Sequence, residues 1–553
     1  MTLNEWQTKN KKFYIVALIA ILGIAFFQCY RVSHDLTWPS DVDQYRDMAY
    51  VQGNLDGDFG KDPNFTGRYM WYNPLLTLVE TAIVKVSGLP IYVVFVRVGL
   101  YLNLLGPIAL IFMMLLIGGY RVTLATLLSF LFLASGQLPF FYAPTYSPWV
   151  LPLTFAQFFF YLNIIVCYKA FTSQRNIWFF ILGMLIGISF LAHTAPAIMI
   201  ILIMAFIQYP KIFRSLRSKD YFSLRKYILQ SIVTFVPFII ASLPLTYYIV
   251  GKYHMHYLNR QPSEYVDTIF LLRNFLDMIK SNFSVSFVIA VIGFIWFYRN
   301  FRQALIRKII FGWIVASVFM YLYSTAVATL DNRFDIHLPG AVPSFHFFYY
   351  LKALQSVFFG FGFVAISTPI IQWLGKFLPH RSEAQTKNYA DVLFVASIFT
   401  CAIIYFPFYQ NRFDFVHNRE ESIKKENDKD RIEVYHYIMQ NIPRDKVILA
   451  EDDTTSVFPV MSTGRKMVSM YATFSNPYFE WTDRQNDWIT MVTFLKKNEP
   501  HTAEKLALFN KYQVDFILVN KKESLANRQN DSTSLLKQVV FENDSYSMYK
   551  LDR

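Results

Sequence analysis

The sequence predicts a polytopic α-helical membrane domain followed by a soluble C-terminal α/β domain. Of the 553 residues, 54% are hydrophobic and only 16% are charged, against roughly 25% charged residues in a soluble globular chain. About eleven apolar runs approach the ~20 residues that an α-helix needs to cross the hydrocarbon core of a bilayer. The charges are concentrated at the end, because residues from Phe408 onward contain 21 of the 52 Lys and Arg and 22 of the 39 Asp and Glu.

The apolar runs and the positions of the basic residues predict a topology. Lys and Arg gather in every second loop, which places those loops and the N-terminus in the cytoplasm and the C-terminal domain outside. We therefore expect an integral protein of the cell or inner membrane, with a transmembrane domain at 1–408 and an extracytoplasmic α/β domain at 409–553. The predicted spans lie near 13–30, 92–117, 122–141, 147–168, 177–193, 195–209, 228–250, 283–298, 309–328, 345–372 and 391–408.

The composition excludes several classes of protein. A chain this apolar is neither disordered nor an ordinary cytosolic enzyme. The three cysteines all lie in apolar runs, so no disulfide framework or thiolate metal site is indicated. The segment Ser462–Lys466 has one glycine and lacks the spacing of a phosphate-binding loop, which argues against ATP-driven transport. Membrane lipids are expected partners, and nucleic acid is not.

The C-terminal domain alternates helical and strand patterns, as expected of a small α/β or α+β domain. The last two strands are expected to form a closing pair. Helices are predicted at 431–440, 483–496 and 503–509, and strands at 447–450, 516–519, 539–541 and 547–551.

The first outer loop, at 31–73, carries the most informative residues. If its Trp38–Ala49 stretch is helical, Asp41 and Tyr45 share one face and Asp43 and Asp47 share another. A carboxylate at a membrane boundary can take a proton from an acceptor hydroxyl, or it can bind a cation. The alternative is structural, with Ser40 or Asp41 capping the helix.

Three further features follow along the chain. An Arg68–Leu75 segment precedes an amphipathic stretch at 75–88, which either lies on the membrane surface or packs against the spans. Arg97 stands inside an apolar run, where a cation is costly unless it is paired, although its long side chain can also reach the headgroups.

The order of these features resembles the polyprenyl-phosphate-dependent glycosyltransferases of the GT-C fold. It is most similar to the branch with the lipid A aminoarabinose transferases and the protein O-mannosyltransferases. That family has an Asp after its first span with a Tyr four residues on, a Gly-Asp pair, an Arg-Tyr pair, a Lys-Pro turn and an Arg opening the next span. The matching residues are Asp41 with Tyr45, Gly57 with Asp58, Arg68 with Tyr69, Asn73–Leu75, and Arg97.

The resemblance implies a membrane glycosyltransferase of cell-envelope glycan biosynthesis. It would move a sugar from a polyprenyl-phosphate donor to a lipid, glycan or protein acceptor at the outer face, with inversion. Asp41 would be the general base, and Asp43 would orient the acceptor or share that role. The residues expected to bind the donor phosphate or substrate are Tyr45, Arg68, Tyr69, Asn73, Arg97, His193, Arg333, His346 and Lys352.

The sequence also departs from the family pattern. The turn lysine is replaced by Asn73, which removes one cation that would face phosphate. An acidic residue of the second outer loop has no counterpart in 144–149, so metal binding there is doubtful. Asp41 and Asp43 permit a divalent cation without requiring one.

Two other functions stay open. One is a membrane transporter or flippase, which would need charges in the middle of its spans or paired interrupted helices. The sequence has few such charges. The other is a polysaccharide polymerase or ligase with a diphosphate-linked donor, which the sequence separates poorly from the first hypothesis.

Overall fold

The computed structural model describes residues 11–133, 144–259, 283–336, 338, 340, 342–375, 383–452, 457–497, 503–521 and 538–551. Contacts within the chain divide it into two compact units. The helical unit consists of Met1–Asp35, Val98–Ser242 and Ser263–His417, and the mixed unit consists of Leu36–Arg97, Leu243–Pro262 and Asn418–Arg553. The first loop thus groups with the C-terminal segment, whereas the boundary at 408 stays a prediction from the sequence.

The helices account for most of the described chain. Short π-helical turns occupy Ser129–Leu133 and Tyr247–Lys252, and a 3₁₀ turn occupies Ala472–Phe474. In chain order the helices are α1 Lys11–Ser33, α2 Val42–Leu55, α3 Leu75–Ser87, α4 Ile91–Arg97, α5 Gly99–Leu102, α6 Leu105–Ile117, α7 Gly119–Leu128, α8 Pro152–Ser173, α9 Asn176–Ala192, α10 Thr194–Arg217, α11 Tyr221–Thr246, α12 Val285–Asn300, α13 Ala304–Phe334, α14 Ser344–Gly375, α15 Glu383–Gln410, α16 Phe413–Asn427, α17 Lys429–Asn441, α18 Val457–Met461, α19 Trp481–Lys497 and α20 Ala503–Lys511.

The predicted polytopic membrane protein is confirmed. Eight helical segments in the described part are long and apolar enough to cross a membrane, and three shorter apolar helices accompany them at Gly119–Leu133, Asn176–Ala192 and Val285–Asn300. Each predicted span corresponds to one of these segments, although 134–141 of the third span lies outside the described residues. The orientation of the termini stays a prediction. The eight long segments are Lys11–Ser33, Ile91–Ile117, Pro152–Ser173, Thr194–Arg217, Tyr221–Lys252, Ala304–Asp331, Ser344–Leu374 and Asn388–Asn427.

Glycines bring α12 and α14 of the helical unit into close contact. A Cβ on Gly293 would lie 1.8 Å from the carbonyl oxygen of Phe358, and a Cβ on Gly362 would lie 2.0 Å from that of Ile289. Small residues of this kind let membrane helices approach until their backbones touch, where packing replaces the hydrophobic effect as the source of stability. The two helices therefore tolerate no side chain at either glycine.

Charges inside the helical unit are paired. Arg121 on α7 contacts Oδ1 of Asp391 on α15 at 2.6 Å, and the Tyr14 hydroxyl of α1 donates to the same oxygen at 2.5 Å. Arg412 binds Asp414 through both carboxylate oxygens, each at 2.6 Å. An unpaired charge in an apolar environment is costly, and the Arg121–Asp391 pair also joins two helices that are distant in sequence.

A five-stranded mixed sheet forms the centre of the mixed unit. The strands are β1 Val447–Ala450, β2 Lys466–Met467, β3 Val514–Asn520, β4 Gln538–Glu542 and β5 Tyr546–Lys550. Their order is β2-β1-β3-β5-β4, with β1 parallel to β2 and β3, and with β5 antiparallel to β3 and β4. The predicted soluble α/β domain is thereby confirmed as a fold, including its closing pair of strands.

The two faces of this sheet carry different cores. Val447, Leu449 and Ile517 face the cluster made with α19 and α20. Ile448 and Leu518 alternate with them and face the other side, as the two-residue period of a strand requires. That second core also contains residues from the first loop and from α4, namely Trp38, Tyr45, Met48, Val51 and Phe65 of the loop and Ile91 and Phe95 of the helix.

Backbone hydrogen bonds attach the first loop to strand β2. The N–H of Met467 donates to the carbonyl of Asn64 at 2.8 Å, and the Asn64 amide donates to the carbonyls of Met461 and Arg465. Lys466 Nζ donates to the carbonyls of Asp62 and Pro63 at 2.8 and 2.9 Å. These bonds fix residues 62–64 against residues that follow them by some 400 positions.

The glycine contact between α12 and α14 leads to a stability prediction. Gly293→Val should lower the free energy of unfolding by about 1–3 kcal/mol, the range for overpacking a tight site, because the new side chain collides with the Phe358 carbonyl. Gly23→Val is the matched control, since no atom lies within 4 Å of a Cβ there. Thermal unfolding of both variants in detergent measures the difference. Equal stability of the two variants would contradict the packing.

Candidate functional site

The candidate site is built around the start of α2. Asp41 is the N-cap of this helix, with Oδ1 accepting the backbone N–H of Asp43 at 2.9 Å. The Gln44 side chain accepts the backbone N–H of Asp41 at 3.3 Å, which completes a capping box. The capping alternative is therefore correct for Asp41. It does not exclude chemistry, because the Asp41 side chain is only half-buried and can still meet a substrate.

Arg46 joins the two other carboxylates of α2. Its guanidinium contacts Asp43 Oδ1 at 2.8 Å and Asp47 Oδ1 at 2.9 Å, so the expected shared face of Asp43 and Asp47 is confirmed. The guanidinium also lies 3.7 Å from the centre of the Tyr72 ring, an arrangement that favours a cation. Arg46 and Asp47 are buried, whereas 37% of the Asp43 side chain is exposed.

Helix α3 places a carboxyl group behind this cluster. Glu80 is completely buried, and neither of its side-chain oxygens has a hydrogen-bond partner among the described residues. The polar face of this helix points into the protein and part of its apolar face points outward, because Glu80 and Thr81 are buried and Leu78 and Val86 are exposed. A helix with an exposed apolar face suits a membrane surface, one of the two alternatives considered from the sequence.

Burial raises the pKa of each of these acids. The pKa of Asp41 rises to about 7, mainly by desolvation and then by the negative charge of Asp43, against the lowering effect of its backbone hydrogen bond. Desolvation raises the pKa of Asp47 to about 6, although Arg46 opposes the shift. Desolvation and the charge of Asp47 hold the pKa of Glu80 well above its usual value. Burial therefore favours the protonated form of Glu80.

This arrangement suits proton transfer better than metal binding. A carboxylate with a pKa near the working pH is an effective general base, and Asp41 meets that condition. The described residues contain no group of three His, Cys, Asp or Glu side chains placed to hold a metal ion. A divalent cation bound by Asp41 and Asp43 would have to compete with Arg46, whose guanidinium already forms an ion pair with Asp43.

Tyr45 lies in the core. Its hydroxyl donates to the carbonyl of Pro39 at 2.9 Å and accepts from Trp38 Nε1 at 3.1 Å. Its ring belongs to the core shared with α17 and β1. This position supports the start of α2, and contact with a donor stays a prediction.

The remaining predicted residues of the mixed unit are held in different surroundings. Arg97 is half-buried at the end of α4 and donates from Nε to the carbonyl of Leu36 at 2.8 Å. Arg68 is exposed, with its guanidinium 5.4 Å from the centre of the Phe479 ring. Tyr69 is exposed beside Tyr253, and Asn73 is half-buried just before α3.

Four predicted residues belong to the helical unit. His193 ends α9 and caps α10, where its Nδ1 accepts the N–H of Ala195 at 3.1 Å. Its ring lies 4.7 Å from that of His346 near the start of α14, so these two predicted residues are brought together. Lys352 is buried on α14, and Arg333 is exposed in the last turn of α13.

Three members of the carboxylate cluster were not predicted from the sequence. The spacing of Asp43 and Arg46 is that of a helical ion pair and was a usable signal. Tyr72 lies close to the predicted Arg68–Tyr69 motif, but nothing in the sequence links it to Arg46. The amphipathic pattern of 75–88 placed Glu80 on the polar face, whereas the structure buries it.

Comparisons with known proteins give a fold. No family model matches the chain, and no curated protein matches it. The Archaeoglobus fulgidus oligosaccharyltransferase in the apo form is similar to it with a TM-score of 0.53 and 11% identity over 91% of this chain and 69% of that chain. ArnT from Cupriavidus metallidurans bound to undecaprenyl phosphate is similar with a TM-score of 0.52 and 12% identity over 97% of this chain and 98% of that chain.

These similarities define the class of the chain. It is an integral membrane protein with the GT-C fold, as the sequence motifs of the first loop predicted. The likeness extends from the helical segments through the C-terminal sheet, since ArnT in the apo state also covers 98% of this chain. At such low identity the comparison gives the fold, and the activity has to be argued from the site.

The buried acid on α3 leads to a prediction about pH. Burial favours the protonated form of Glu80, so its pKa is higher in the folded protein than in the unfolded chain. The stability that this difference provides is fully present below the unfolded pKa of about 4.5. It is lost as the pH rises toward the folded pKa, at up to about 1.4 kcal/mol per pH unit. Glu80→Gln should therefore unfold at a higher temperature than wild type at pH 8, with the difference shrinking toward pH 4.5.

The exposed Glu433 provides the control. Glu433→Gln should unfold like wild type across the same pH range. Parallel pH curves for wild type and Glu80→Gln would mean that Glu80 takes up no proton on folding.

Proposed function

We propose that this protein is a membrane glycosyltransferase that moves a sugar from a polyprenyl-phosphate carrier to an acceptor hydroxyl. The observation that carries the proposal is a half-buried carboxyl group with a raised pKa, Asp41, at the head of a helix in a chain with the GT-C fold. ArnT, similar over nearly its whole length, was crystallised with undecaprenyl phosphate, a lipid carrier of the proposed class.

Asp41 acts as the general base. Its carboxylate takes the proton of the acceptor hydroxyl while the hydroxyl oxygen forms a bond to the anomeric carbon of the sugar. The bond between that carbon and the phosphate oxygen breaks, and its electron pair leaves with the polyprenyl phosphate. Attack opposite the leaving group inverts the anomeric carbon. Asp43 is more exposed and is suited to orient the acceptor.

Cations stabilise the phosphate as it leaves. Arg68 and Arg97 are suited to this role because no carboxylate among the described residues pairs with either guanidinium. Arg333, Lys352 and His346 are further candidates for the donor. Positive groups placed where negative charge develops stabilise the transition state, and a guanidinium binds phosphate oxygens through two N–H groups.

A second candidate is transfer of a longer saccharide by a polymerase or ligase with a diphosphate-linked donor. The observation that favours it is the similarity to an oligosaccharyltransferase, at a TM-score close to that of ArnT. In both candidates Asp41 is the base, and the bond between the anomeric carbon and a phosphate oxygen of the lipid carrier breaks. They differ in whether the donor carries one phosphate or two, which parallel assays with both donor classes decide.

Asp41→Asn should abolish transfer, with a loss of at least about 100-fold expected when a general base is removed. Asn and Asp are equally good N-caps, so α2 should still form, and the loss would report on the proton and not on the helix. Transfer from radiolabelled polyprenyl-phosphate sugars to membrane extracts measures the activity, and circular dichroism checks the fold.

Asp428→Asn is the matched control. Asp428 caps α17 in the same unit and accepts the N–H of Arg431 at 3.3 Å, so the same chemical change is made at a second helix start. This variant should keep its activity. Near-normal transfer by Asp41→Asn would refute the base assignment.

The raised pKa of Asp41 also predicts the pH dependence of transfer. Only the carboxylate form accepts a proton, so kcat/KM should fall about tenfold per pH unit below about pH 7 and level off above it. Asp43→Asn should move the midpoint to lower pH, because the charge of Asp43 raises the pKa of Asp41. A midpoint that does not move in Asp43→Asn would contradict this electrostatic coupling.

A further inference from the structure

A second surface of the mixed unit is built from tyrosines. It combines the first loop, the turn that follows α11 and the segment after β2. We name it the tyrosine platform. Three of its rings reach solvent, with exposures of 38% for Tyr69, 53% for Tyr247 and 37% for Tyr257. The platform consists of Tyr69, Tyr247, Tyr248, Tyr253, Tyr257 and Tyr478.

The rings of the platform form a continuous set of contacts. Tyr69 stacks on Tyr248 with 5.9 Å between ring centres and meets the edge of Tyr253 at 6.1 Å. Tyr253 stacks on Tyr478 at 4.5 Å, and Tyr257 lies 4.9 Å from Tyr478. Such contacts between aromatic rings fix their orientation.

The platform is anchored to the backbone from below. Gly60 has a φ of +88°, and a Cβ at Gly60 would lie 1.9 Å from the hydroxyl oxygen of Tyr248, so the Tyr248 ring fills the space that a side chain would need. The Tyr253 hydroxyl oxygen lies 2.7 Å from both the N–H and the carbonyl of Tyr69 and accepts from the Asn476 amide at 2.9 Å. The exposed rings therefore stand on a fixed base.

The turn that carries Tyr257 is fixed as well. The N–H groups of Leu258 and Asn259 both donate to the carbonyl of Pro477, at 2.9 and 3.0 Å. The Asn259 amide donates to the carbonyl of Ala472 at 3.1 Å. A surface that is already ordered loses little conformational entropy when it binds a ligand.

Positive charge lies at the platform. Lys252 Nζ lies between two of the exposed rings, 5.4 Å from the centre of Tyr69 and 5.6 Å from that of Tyr247. Arg68, His254 and His256 are exposed in the same two segments. Asp62, an acid close to Tyr253, is buried and accepts from Asn476 at 3.0 Å. The exposed Lys252 and Arg68 can therefore attract an anion.

We infer that the tyrosine platform binds an acidic pyranose of the acceptor, so that the acceptor is an acidic glycan. The C–H groups on one face of a pyranose ring are weakly positive and pack against the negative face of an aromatic ring. Its hydroxyl groups hydrogen-bond to the tyrosine hydroxyls, and its carboxylate pairs with Lys252. This inference rests on the proposed glycosyltransferase function, which is what requires an acceptor.

The alternative occupant is the membrane itself. Tyrosines at the end of an apolar helix commonly lie among lipid headgroups, and Tyr247 directly follows α11. Headgroup contact does not require the hydrogen bonds that hold Tyr253 and Asn259, or rings stacked across three separate segments. An ordered set of rings around a lysine fits one ligand of defined shape better.

The test is saccharide binding by the full-length protein in nanodiscs. The probes are a trisaccharide of galacturonic acid and the neutral trisaccharide of galactose. Wild type should bind the acidic trisaccharide more tightly than the neutral one. Tyr257→Ala and Lys252→Gln should each weaken binding of the acidic probe about tenfold, because both side chains are exposed and their loss leaves the core intact. Tyr221→Ala, at an exposed tyrosine at the opposite end of α11, should bind like wild type.

The outcomes separate this inference from the proposed function. Asp41→Asn should bind the acidic trisaccharide normally while it transfers no sugar. The platform variants Tyr257→Ala and Lys252→Gln, which keep Asp41, should raise the KM for the acceptor without changing kcat. Wild type that transfers sugar but binds neither trisaccharide would overturn the platform and leave the transferase standing. Platform variants that lose only their association with phosphatidylglycerol vesicles would assign these tyrosines to the membrane. Wild type that binds the saccharide but transfers no sugar from any donor would overturn the transferase instead.

Discussion

The core that the first loop shares with the C-terminal segment is the constraint on which the site depends. Met48 and Val51 of α2 lie in the same cluster as Val434 and Ile438 of α17. A segment as short as the first loop buries too little apolar surface to hold a helix in place by itself. The position of Asp41 at the head of α2 is therefore set by residues almost 400 positions later in the chain, and the two segments act as one folded unit.

This same burial creates the electrostatics of the site. Placing Asp47 and Glu80 in an apolar environment opposes their ionisation, and a single buried cation, Arg46, compensates only part of that cost. Buried acids with raised pKa values are unfavourable for stability, but they are common at functional sites. The capping of α2 by Asp41 limits the cost there, since a backbone N–H stabilises the carboxylate and keeps its pKa near 7 and no higher.

The sequence predicted the elements well and their partners poorly. Strands such as Val447–Ala450 and the closing pair β4–β5 were recognisable because short runs of apolar and aromatic residues are a local signal. Helix α3 was recognised from its period, but the choice between the membrane surface and packing against the spans stayed open, because a sequence pattern does not show what an apolar face contacts. The Asp43–Arg46 pair follows from helical spacing, whereas the contact of Tyr69 with Tyr253, 184 positions later, has no local signal at all.

The base and the tyrosine platform belong to one folded unit, and this has a consequence for catalysis. Residues 57–69 run from the end of α2 to Tyr69, and Asn64 in the middle of that path is bonded to the backbone of β2 and of the turn before it. Neither surface can therefore shift far without breaking these hydrogen bonds. An acceptor bound at the platform would be held relative to Asp41 by packing within a single unit, so the geometry of proton transfer need not wait for a hinge to close.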